Sequence, residues 1–428
     1  MNKYHVYLFS IFVTSLFVPD QAYSSCESPS TAIEVVNCIR SNSPDIKQII
    51  NEQSQTEKLR GIATRRPNPK LETQSTIGRN RNNGPDVSGS NDKLYNIEMA
   101  LIWPIELGNK VEARLKEAEA KIKQVQSDIL KVEAEVILQT ILGIQRLRQI
   151  NKEMKLFEES IATYNNLVRQ YRLRTHLSSE QKVSKLVFEL AKEDIELKIT
   201  SLLKEQKSLD EFFLKAGVQS AHLKKVLAKS IYPDKLPPIS NEKINNQHSP
   251  NIQRLNADKE LSIAELKVAR SISWPDIEIG PVLSYQSEGD SKSQSIGFQL
   301  SIPLPFSDYN KAGHEYASSG LGKAESNLNI QLKNEEIERK QLIQTYKDLI
   351  QLLSKVPNDK ALASRSIEIK RLAVQGLVSS SLIIETHRQE IEFIQDRNQL
   401  EIQALEAWLK LQMLNGNITK ESTLREVL

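Results

Sequence analysis

Ser43-Pro44-Asp45-Ile46 decides the fold, because it recurs 206 residues later as Ser249-Pro250-Asn251-Ile252. In each copy a second proline follows the first by 25 residues, at Pro69 and at Pro275. Each copy continues with two stretches in which apolar and polar residues alternate. A third proline and a long charged segment rich in leucine follow them. This repetition predicts two copies of one structural unit, built side by side.

The composition indicates an elongated, mainly helical protein. Of 428 residues, 57 are Lys or Arg and 54 are Asp or Glu, which gives a net charge of +3 and no reason to expect a nucleic-acid partner. Apolar residues make up 39 % and aromatic residues 6 %. This low content of apolar and aromatic residues suits long amphipathic helices better than a thick globular core.

The N-terminus has the pattern of an export signal. A short basic start, Met1 to His5, precedes the apolar run Val6 to Val18, and small residues stand at Ala22-Tyr23-Ser24, where signal peptidase would cut. We predict a signal peptide at residues 1–24. The apolar run is too short to span a bilayer and no later stretch approaches the ~20 apolar residues of a spanning helix. An exported soluble protein and a β-barrel both remain open.

Cys26 and Cys38 are the two cysteines of the chain. In an oxidising periplasm they are a candidate disulfide. A lipidated Cys26 is the alternative, although Tyr23 stands where a lipoprotein signal has Leu. Metal ligation is disfavoured, because the two thiols have no nearby histidine.

The spacing of apolar residues predicts which parts of each copy are helices and which are strands. Helical periodicity covers 31–65 in copy one and 252–272 in copy two, and Pro69 and Pro275 follow these helices. The period then falls to two, which predicts β-hairpins. The four predicted strands are 70–77, 94–103, 276–285 and 294–302, near the 9 to 11 residues with which a barrel strand crosses a bilayer. A half-buried sheet in a soluble domain is the alternative, and the export signal favours the barrel.

A long helical hairpin follows each β-hairpin. Apolar residues recur in steps of four and three, as in a coiled coil, at Val111, Leu115, Ala118, Ile122, Val125, Ile129, Val132 and Val136. The pattern predicts a helix from Glu112 to Arg172, about 90 Å long at about 1.5 Å per residue. It breaks at 175–179, returns over 182–216, and breaks in copy two at 376–380. After that second break one helix face carries Phe393, Leu400, Ala404, Ala407, Leu411 and Leu414.

These patterns predict three parts in the mature chain. The first repeat covers 25–230, a proline-containing linker covers 231–250 and the second repeat covers 251–428.

The chain shows no pattern typical of an enzyme. Its six histidines are scattered without an i, i+4 pair, so a zinc or copper site is not expected. Gly320-Leu321-Gly322-Lys323 resembles part of a phosphate loop, but Ala317 and Ala324 replace its first glycine and its Ser/Thr. We predict no catalytic residues, no cofactor and no metal site.

The whole mature chain resembles the outer membrane efflux proteins, channels of the TolC type. The likeness rests on the duplicated order of helix, β-hairpin and long helical hairpin, and on three proline-containing segments: Arg66-Pro67-Asn68-Pro69, Trp103-Pro104-Ile105-Glu106-Leu107-Gly108-Asn109-Lys110 and Ser301-Ile302-Pro303-Leu304-Pro305-Phe306. The Pro-Ile-Glu-Leu-Gly-Asn-Lys run is similar to the CzcC-like heavy-metal branch, in which a second glycine commonly replaces Asn109.

The resemblance implies a mainly α fold with a membrane β-barrel portion. Three subunits would give four strands each to a 12-stranded β-barrel in the outer membrane, and their helices would form one periplasmic α-barrel tunnel. A barrel cannot close from four strands and open edges do not lie in lipid, so oligomerisation also follows physically. The implied function is an efflux duct that works with a periplasmic adaptor and an inner membrane pump, conducting solutes that include metal cations. A periplasmic coiled-coil adaptor or scaffold without a barrel is the alternative.

The resemblance also places the periplasmic gate and adaptor contact at the helical turns. The candidate residues are His176, Ser178, Ser179, Gly376, Ser379, Ser380 and Glu385. Such channels often carry acidic rings shortly after the second turn. Here Leu382 stands at one such position and Glu385 at the next. A solvated turn histidine and a solvated helix charge are the alternatives at His176 and Glu385.

Overall fold

The computed structural model describes residues 26, 29–81, 91–229, 236–239, 248–288, 290–304, 309–357, 364, 367–368, 371–372 and 379–428. The predicted signal peptide, most of the predicted linker and Gly376 lie outside the described residues.

The same order of elements occurs in both halves of the chain. The first half contains α1 (Ala32–Asn42), α2 (Pro44–Glu57), α3 (Leu59–Ala63), β1 (Lys70–Arg81), β2 (Asn91–Ile105), α4 (Lys110–Arg172), α5 (Ser179–Lys215) and α6 (Ser220–Lys229). The second half contains α7 (Pro250–Ile272), β3 (Ile277–Glu288), β4 (Ser291–Ser301), α8 (Lys311–Lys355), α9 (Ser380–Leu414) and α10 (Glu421–Val427). The predominance of helix and the four strands confirm the coarse fold prediction.

The repeated Ser-Pro pair starts a helix in each half. Pro44 and Pro250 both occupy the first turn, where a missing N–H costs no hydrogen bond. Ser43 has an extended backbone with ψ 131°, so the stretch 31–65 is divided into α1, α2 and α3 and is not one helix. The residue before a proline disfavours helical backbone, which explains the division between α1 and α2.

The four strands form one antiparallel sheet in the order β1-β2-β3-β4. The central β2–β3 pairing joins the two halves of the chain, with Ile97 opposite Tyr285. Gly280 allows this close approach, because a Cβ at that position would lie 1.9 Å from the carbonyl oxygen of Leu101. Contact between the halves therefore depends on backbone packing as well as on side chains.

Helix α4 is the longest element, with 63 residues and a length of about 95 Å at about 1.5 Å per residue. It packs against α2, α5, α7 and α9. Within the predicted coiled-coil stripe, Ala118, Ile122, Val125 and Val136 are buried. The other four stripe residues are half-buried, so the stripe is the packing side of α4.

Two apolar cores hold the helices together. The first contains residues of α1, α2, α4, α5, α6, α8, α9 and α10, with Trp408 fully buried in it. The second joins α4, α5 and α9 nearer the α4–α5 turn and consists of Ile150, Phe157, Tyr164, Val168, Phe188, Ile195, Leu202, Ile383 and Ile391. Among the described residues, no helix is long and apolar enough to cross a membrane.

The second helical hairpin differs from the first. Helix α8 ends at Lys355, well before α9 begins at Ser380, whereas α4 and α5 are separated by six residues. Val356 has an extended backbone and Pro357 follows it, which stops a helix. The Arg397 guanidinium donates to the carbonyl oxygen of Pro357 at 2.9 Å. The described residues 364, 367–368 and 371–372 are helical, so helix also occurs between Pro357 and α9.

Candidate functional site

One face of the sheet is apolar and exposed. Along β2 every second side chain from Tyr95 to Ile105 is an exposed large apolar group: Tyr95, Ile97, Met99, Leu101, Trp103 and Ile105. The alternate residues point to the other face, because successive side chains of a strand alternate. A strand face that contacts water is normally polar, so six exposed apolar side chains on one face indicate that another apolar medium or partner covers it.

The neighbouring strands extend this apolar face. Met99 is opposite Thr73 on β1 and Leu283 on β3, and Leu283 is opposite Ile296 on β4. Ile296 and Phe298 are exposed by 80 % and 84 %. We define the apolar face as Leu71, Ile77, the six β2 residues, Ile279, Leu283, Ile296, Phe298 and Leu300. It crosses all four strands, and the exposed Lys93 and Lys292 on the same face lie at the end of the sheet away from the helices.

The opposite face of the sheet is mostly polar, and its apolar members include Ala100 and Ile102, which are buried. A row across it contains Gln74, Glu98, Ser284 and Ser295, one from each strand. The hydroxyl groups of Ser284 and Ser295 are 2.6 Å apart. Lys70 and Glu278 form an ion pair of 3.0 Å at the helix-proximal end. A sheet with one exposed apolar face and one polar face matches a barrel wall between lipid and a water-filled lumen.

The apolar face has the height of a bilayer core. Ten residue steps separate Tyr95 and Ile105, which is about 33 Å along the strand and about 25 Å along the normal at a tilt of about 40°. Four exposed aromatic side chains lie where the sheet meets the helices: Trp103, Trp274, Tyr309 and Tyr316. Trp and Tyr favour the interface between lipid and water. These residues indicate where that interface would lie.

Each outer strand of the sheet pairs on one side. Among the described residues, β1 pairs with β2 alone and β4 with β3 alone. The free sides of β1 and β4 therefore present backbone N–H and C=O groups that a further strand could pair with.

The segment that leaves the first β-hairpin ties the sheet to the helices. Gly108 and Asn109 have φ of 73° and 56°, and a Cβ on Gly108 would lie 2.7 Å from the side chain of Trp274. Arg114 donates to Glu106 at 2.9 Å and to the carbonyl oxygen of Arg65 at 3.1 Å. This explains the Pro-Ile-Glu-Leu-Gly-Asn-Lys run as a structural joint.

The helical turns bring several predicted gate residues together. Ser178 caps α5 and shares a reciprocal capping box with Gln181, and Ser179 is the first residue of α5. Ser379 precedes α9 and Ser380 is its first residue. The Tyr171 hydroxyl lies 3.2 Å from the Ser380 hydroxyl, so the end of α4 meets the start of α9. His176 is exposed in the first turn, and Gly376 lies outside the described residues.

The Glu385 side chain is 44 % exposed and ion-paired. It accepts hydrogen bonds from Arg388 at 2.7 and 2.9 Å and from Gln389 at 2.8 Å. These bonds, with that from Arg388 the larger, hold the pKa of the Glu385 carboxyl below its ordinary value. Leu382 is exposed one turn earlier. The carboxylate is thus charged at neutral pH, with a guanidinium beside it.

An aromatic cluster behind the turns was not predicted. The ring centre of Tyr164 lies 5.7 Å from that of Phe188 and 5.3 Å from that of His387, and Phe188 is 6.4 Å from Tyr171. Tyr164, Phe188 and His387 are buried. Because these rings come from α4, α5 and α9, the cluster fixes the three helices near the turns. Its members are far apart in sequence, so no local pattern indicates it.

Cys26 and Cys38 are joined by a disulfide, with Cα atoms 6.0 Å apart. The bond attaches residue 26 to α1. Among the described residues, no group of three His, Cys, Asp or Glu side chains is arranged to hold a metal ion.

The comparisons with known proteins agree with this architecture. Residues 35–176 match the family model described as outer membrane efflux protein. The chain superposes on the outer-membrane channel OprN with a TM-score of 0.66 at 14 % identity, covering 92 % of each chain. The CmeC outer membrane channel of Campylobacter jejuni gives a TM-score of 0.63 at 14 % identity, covering 92 % of this chain and 88 % of CmeC.

A third solved structure extends the likeness. The outer membrane protein VceC of Vibrio cholerae gives a TM-score of 0.61 at 13 % identity, covering 90 % of this chain and 96 % of VceC. A search of curated protein sequences finds no match to the chain. The resemblance to outer membrane efflux proteins is confirmed, and so is the expectation that the chain is not an enzyme, since the matched family and structures are channels.

Proposed function

We propose, on the premise that residues 35–176 of this chain belong to the outer membrane efflux protein family, that the protein is the exit duct of a tripartite efflux system. It conducts solutes passively after an inner membrane pump expels them through a periplasmic adaptor. Residues 1–24 are its signal peptide, 25–230 and 251–428 its two repeats, and 231–250 the linker. The duct lies in the outer membrane and its helices extend into the periplasm.

The free edges of the sheet support a homotrimer. Four strands per subunit give 12 strands in three copies, with β1 of one copy beside β4 of the next. Closure removes every unpaired strand edge, which lipid requires.

The apolar face is the observation that carries the proposal. A periplasmic adaptor would expose this face to water, whereas a barrel turns it toward lipid. The polar row of Gln74, Glu98, Ser284 and Ser295 then lines the lumen. The same arrangement gives the aromatic side chains at the sheet–helix boundary an interfacial location.

The helical turns are the proposed gate and adaptor contact. His176, Ser178, Ser179, Gly376, Ser379 and Ser380 belong to this end, and Glu385 lies on α9 next to it. Three Glu385 carboxylates around a narrow axis favour cations over anions. We extend the proposal to metal cations, since the segment that leaves the first β-hairpin is similar to the heavy-metal branch.

The proposal is tested by a matched pair of neighbouring substitutions in β4. Phe298→Lys places a charge on the apolar face, which costs about 2–4 kcal/mol near the bilayer midplane. Gly297→Lys places the same charge on the lumen side, where an added Cβ meets nothing within 4 Å. We expect Phe298→Lys to reduce the folded protein in outer membrane fractions strongly and Gly297→Lys to leave it near the wild-type amount.

Equal amounts of the two variants in purified outer membranes would contradict a lipid-facing apolar face. Recovery of the wild-type chain in the periplasmic fraction, without detergent, would favour the adaptor alternative.

A further inference from the structure

A cleft of about 650 Å³ lies over the middle of α4, between α5 and α9. It is distant in sequence from the turns and from the sheet. Its charged lining residues are Arg146 on α4, Glu153 two turns later on the same helix, and Glu205 on α5. Leu142, Leu209 and Ile402 provide apolar lining.

The charged lining carries one excess negative charge. Arg146 donates to both oxygens of Glu205 at 2.7 and 2.8 Å and to Oε1 of Glu153 at 2.8 Å. The Asn398 amide also donates to Oε1 of Glu153, at 2.7 Å. One guanidinium thus faces two carboxylates, and the second oxygen of Glu153 receives neither donor.

Five glutamines line the cleft and supply both donors and acceptors, but two acceptors at the cleft have no partner. Oε2 of Glu153 and Oε1 of Gln149 are buried without a hydrogen-bond partner among the described residues, and both residues are 1 % exposed. Both residues line the cleft. Buried acceptors are rarely left unpaired in folded proteins, so these atoms indicate an occupant with N–H groups.

We propose that this cleft binds a small organic ammonium ion, with its N–H donors on Glu153 and Gln149 and its aliphatic part against Leu142, Leu209 and Ile402. The positive charge offsets the excess carboxylate, and the ammonium group supplies only donors, which suits the two unpartnered acceptors. The volume is within the range of small-molecule sites. Such a ligand contacts α4, α5 and α9 together and stabilises their packing. The site is independent of the proposed channel function.

Hexylammonium is the probe, and hexyltrimethylammonium is its matched control. The two share the charge and the chain, but only hexylammonium has N–H donors. In calorimetric titrations of the full detergent-solubilised chain, we expect saturable binding of hexylammonium, at least about tenfold tighter than that of hexyltrimethylammonium, because bonds to charged groups are the stronger ones.

Three variants test the named atoms. Gln149→Leu removes an unpartnered oxygen and Glu153→Gln removes the charge while keeping an acceptor for Arg146 and Asn398, and each should weaken hexylammonium binding at least about tenfold. Gln126→Leu, an exposed glutamine on the same helix, should bind like wild type. If Gln149→Leu does not fold, Glu153→Gln still tests the proposal.

Three results would overturn it. The first is a hexylammonium titration without a saturable binding signal, as expected for a cleft that holds only water or that a second copy covers. The second is equal affinity for the two ammonium probes. The third is unchanged hexylammonium binding in folded Glu153→Gln.

Discussion

At the scale of single residues, Glu385 and Arg388 determine how the proposed gate behaves. Both side chains are exposed and hydrogen-bonded to each other, so the guanidinium offsets much of the carboxylate charge. The sequence shows both residues at a spacing of three on a helix, where side chains meet. We predicted a gate charge at Glu385 alone, although the spacing of three also indicates that Glu385 pairs with Arg388.

The ion pair predicts opposite effects of removing its two members. Glu385→Gln should lower the cation-to-anion permeability ratio, and Arg388→Gln should raise it, since the carboxylate then acts without a neighbouring positive charge. Reversal potentials of single channels in a salt gradient measure both. Folded trimer should be unchanged, because neither residue is buried. If both variants have the permeability ratio of the wild type, Glu385 is not part of the gate.

The pH dependence of this selectivity follows from the same contact. The folded-state pKa of Glu385 is lowered, so the charge and any stability it contributes are present above the ordinary carboxyl pKa of 4.5 and are lost as the pH falls through the lowered value. The permeability ratio should therefore be constant between pH 7 and pH 5 as far as Glu385 sets it. In Arg388→Gln the fall should begin at higher pH. The part that Glu385 sets is the difference between the wild-type ratio and that of Glu385→Gln, and a fall of this difference between pH 7 and pH 5 would contradict the assignment.

At the scale of elements, the packing stripe of α4 predicts a graded loss of stability. Ile122 is 6 % exposed and Ile129 is half-buried. Ile122→Asp buries a charge in the seam and should cost several kcal/mol, with a smaller loss for Ile129→Asp. Gln126→Asp, on the exposed side, should stay within about 0.5 kcal/mol of wild type. Urea unfolding followed by circular dichroism in detergent measures the three, and equal midpoints would show that the stripe is not a packing seam.

The sequence predicts the elements well where one period persists. Steps of four and three from Val111 to Val136 predict α4, and alternation predicts all four strands, because burial on one side imposes these periods. The divisions at Ser43-Pro44 and Val356-Pro357 were missed although proline signals both. The aromatic cluster of Tyr164, Phe188 and His387 and the cleft at Glu153 depend on three helices meeting. Local periodicity carries no information about such contacts.

At the scale of the whole molecule, the sheet is the part that a single chain leaves incomplete. Its apolar face is exposed and its outer strands β1 and β4 each have a free side. Membrane lipid would cover the first and a neighbouring copy would pair with the second. Both contacts stabilise the sheet only in the membrane assembly, because a single chain in water makes neither of them.

Cross-linking of β1 to β4 between copies tests this central claim most directly. Gln74→Cys in β1 is combined, one pair at a time, with Ser295→Cys, Gly297→Cys or Gln299→Cys in β4, all on the polar face. Paired strands bring opposite Cα atoms to about 4.5–5.5 Å, within disulfide reach. Gln74→Cys with Glu98→Cys is the control, because these residues are opposite within one chain.

We predict that oxidation of intact outer membranes yields covalent dimers and trimers, and nothing larger, for at least one β1–β4 pair, whereas the control pair stays monomeric. Monomers for every β1–β4 pair, or a ladder that continues beyond three chains, would contradict a closed barrel of three subunits.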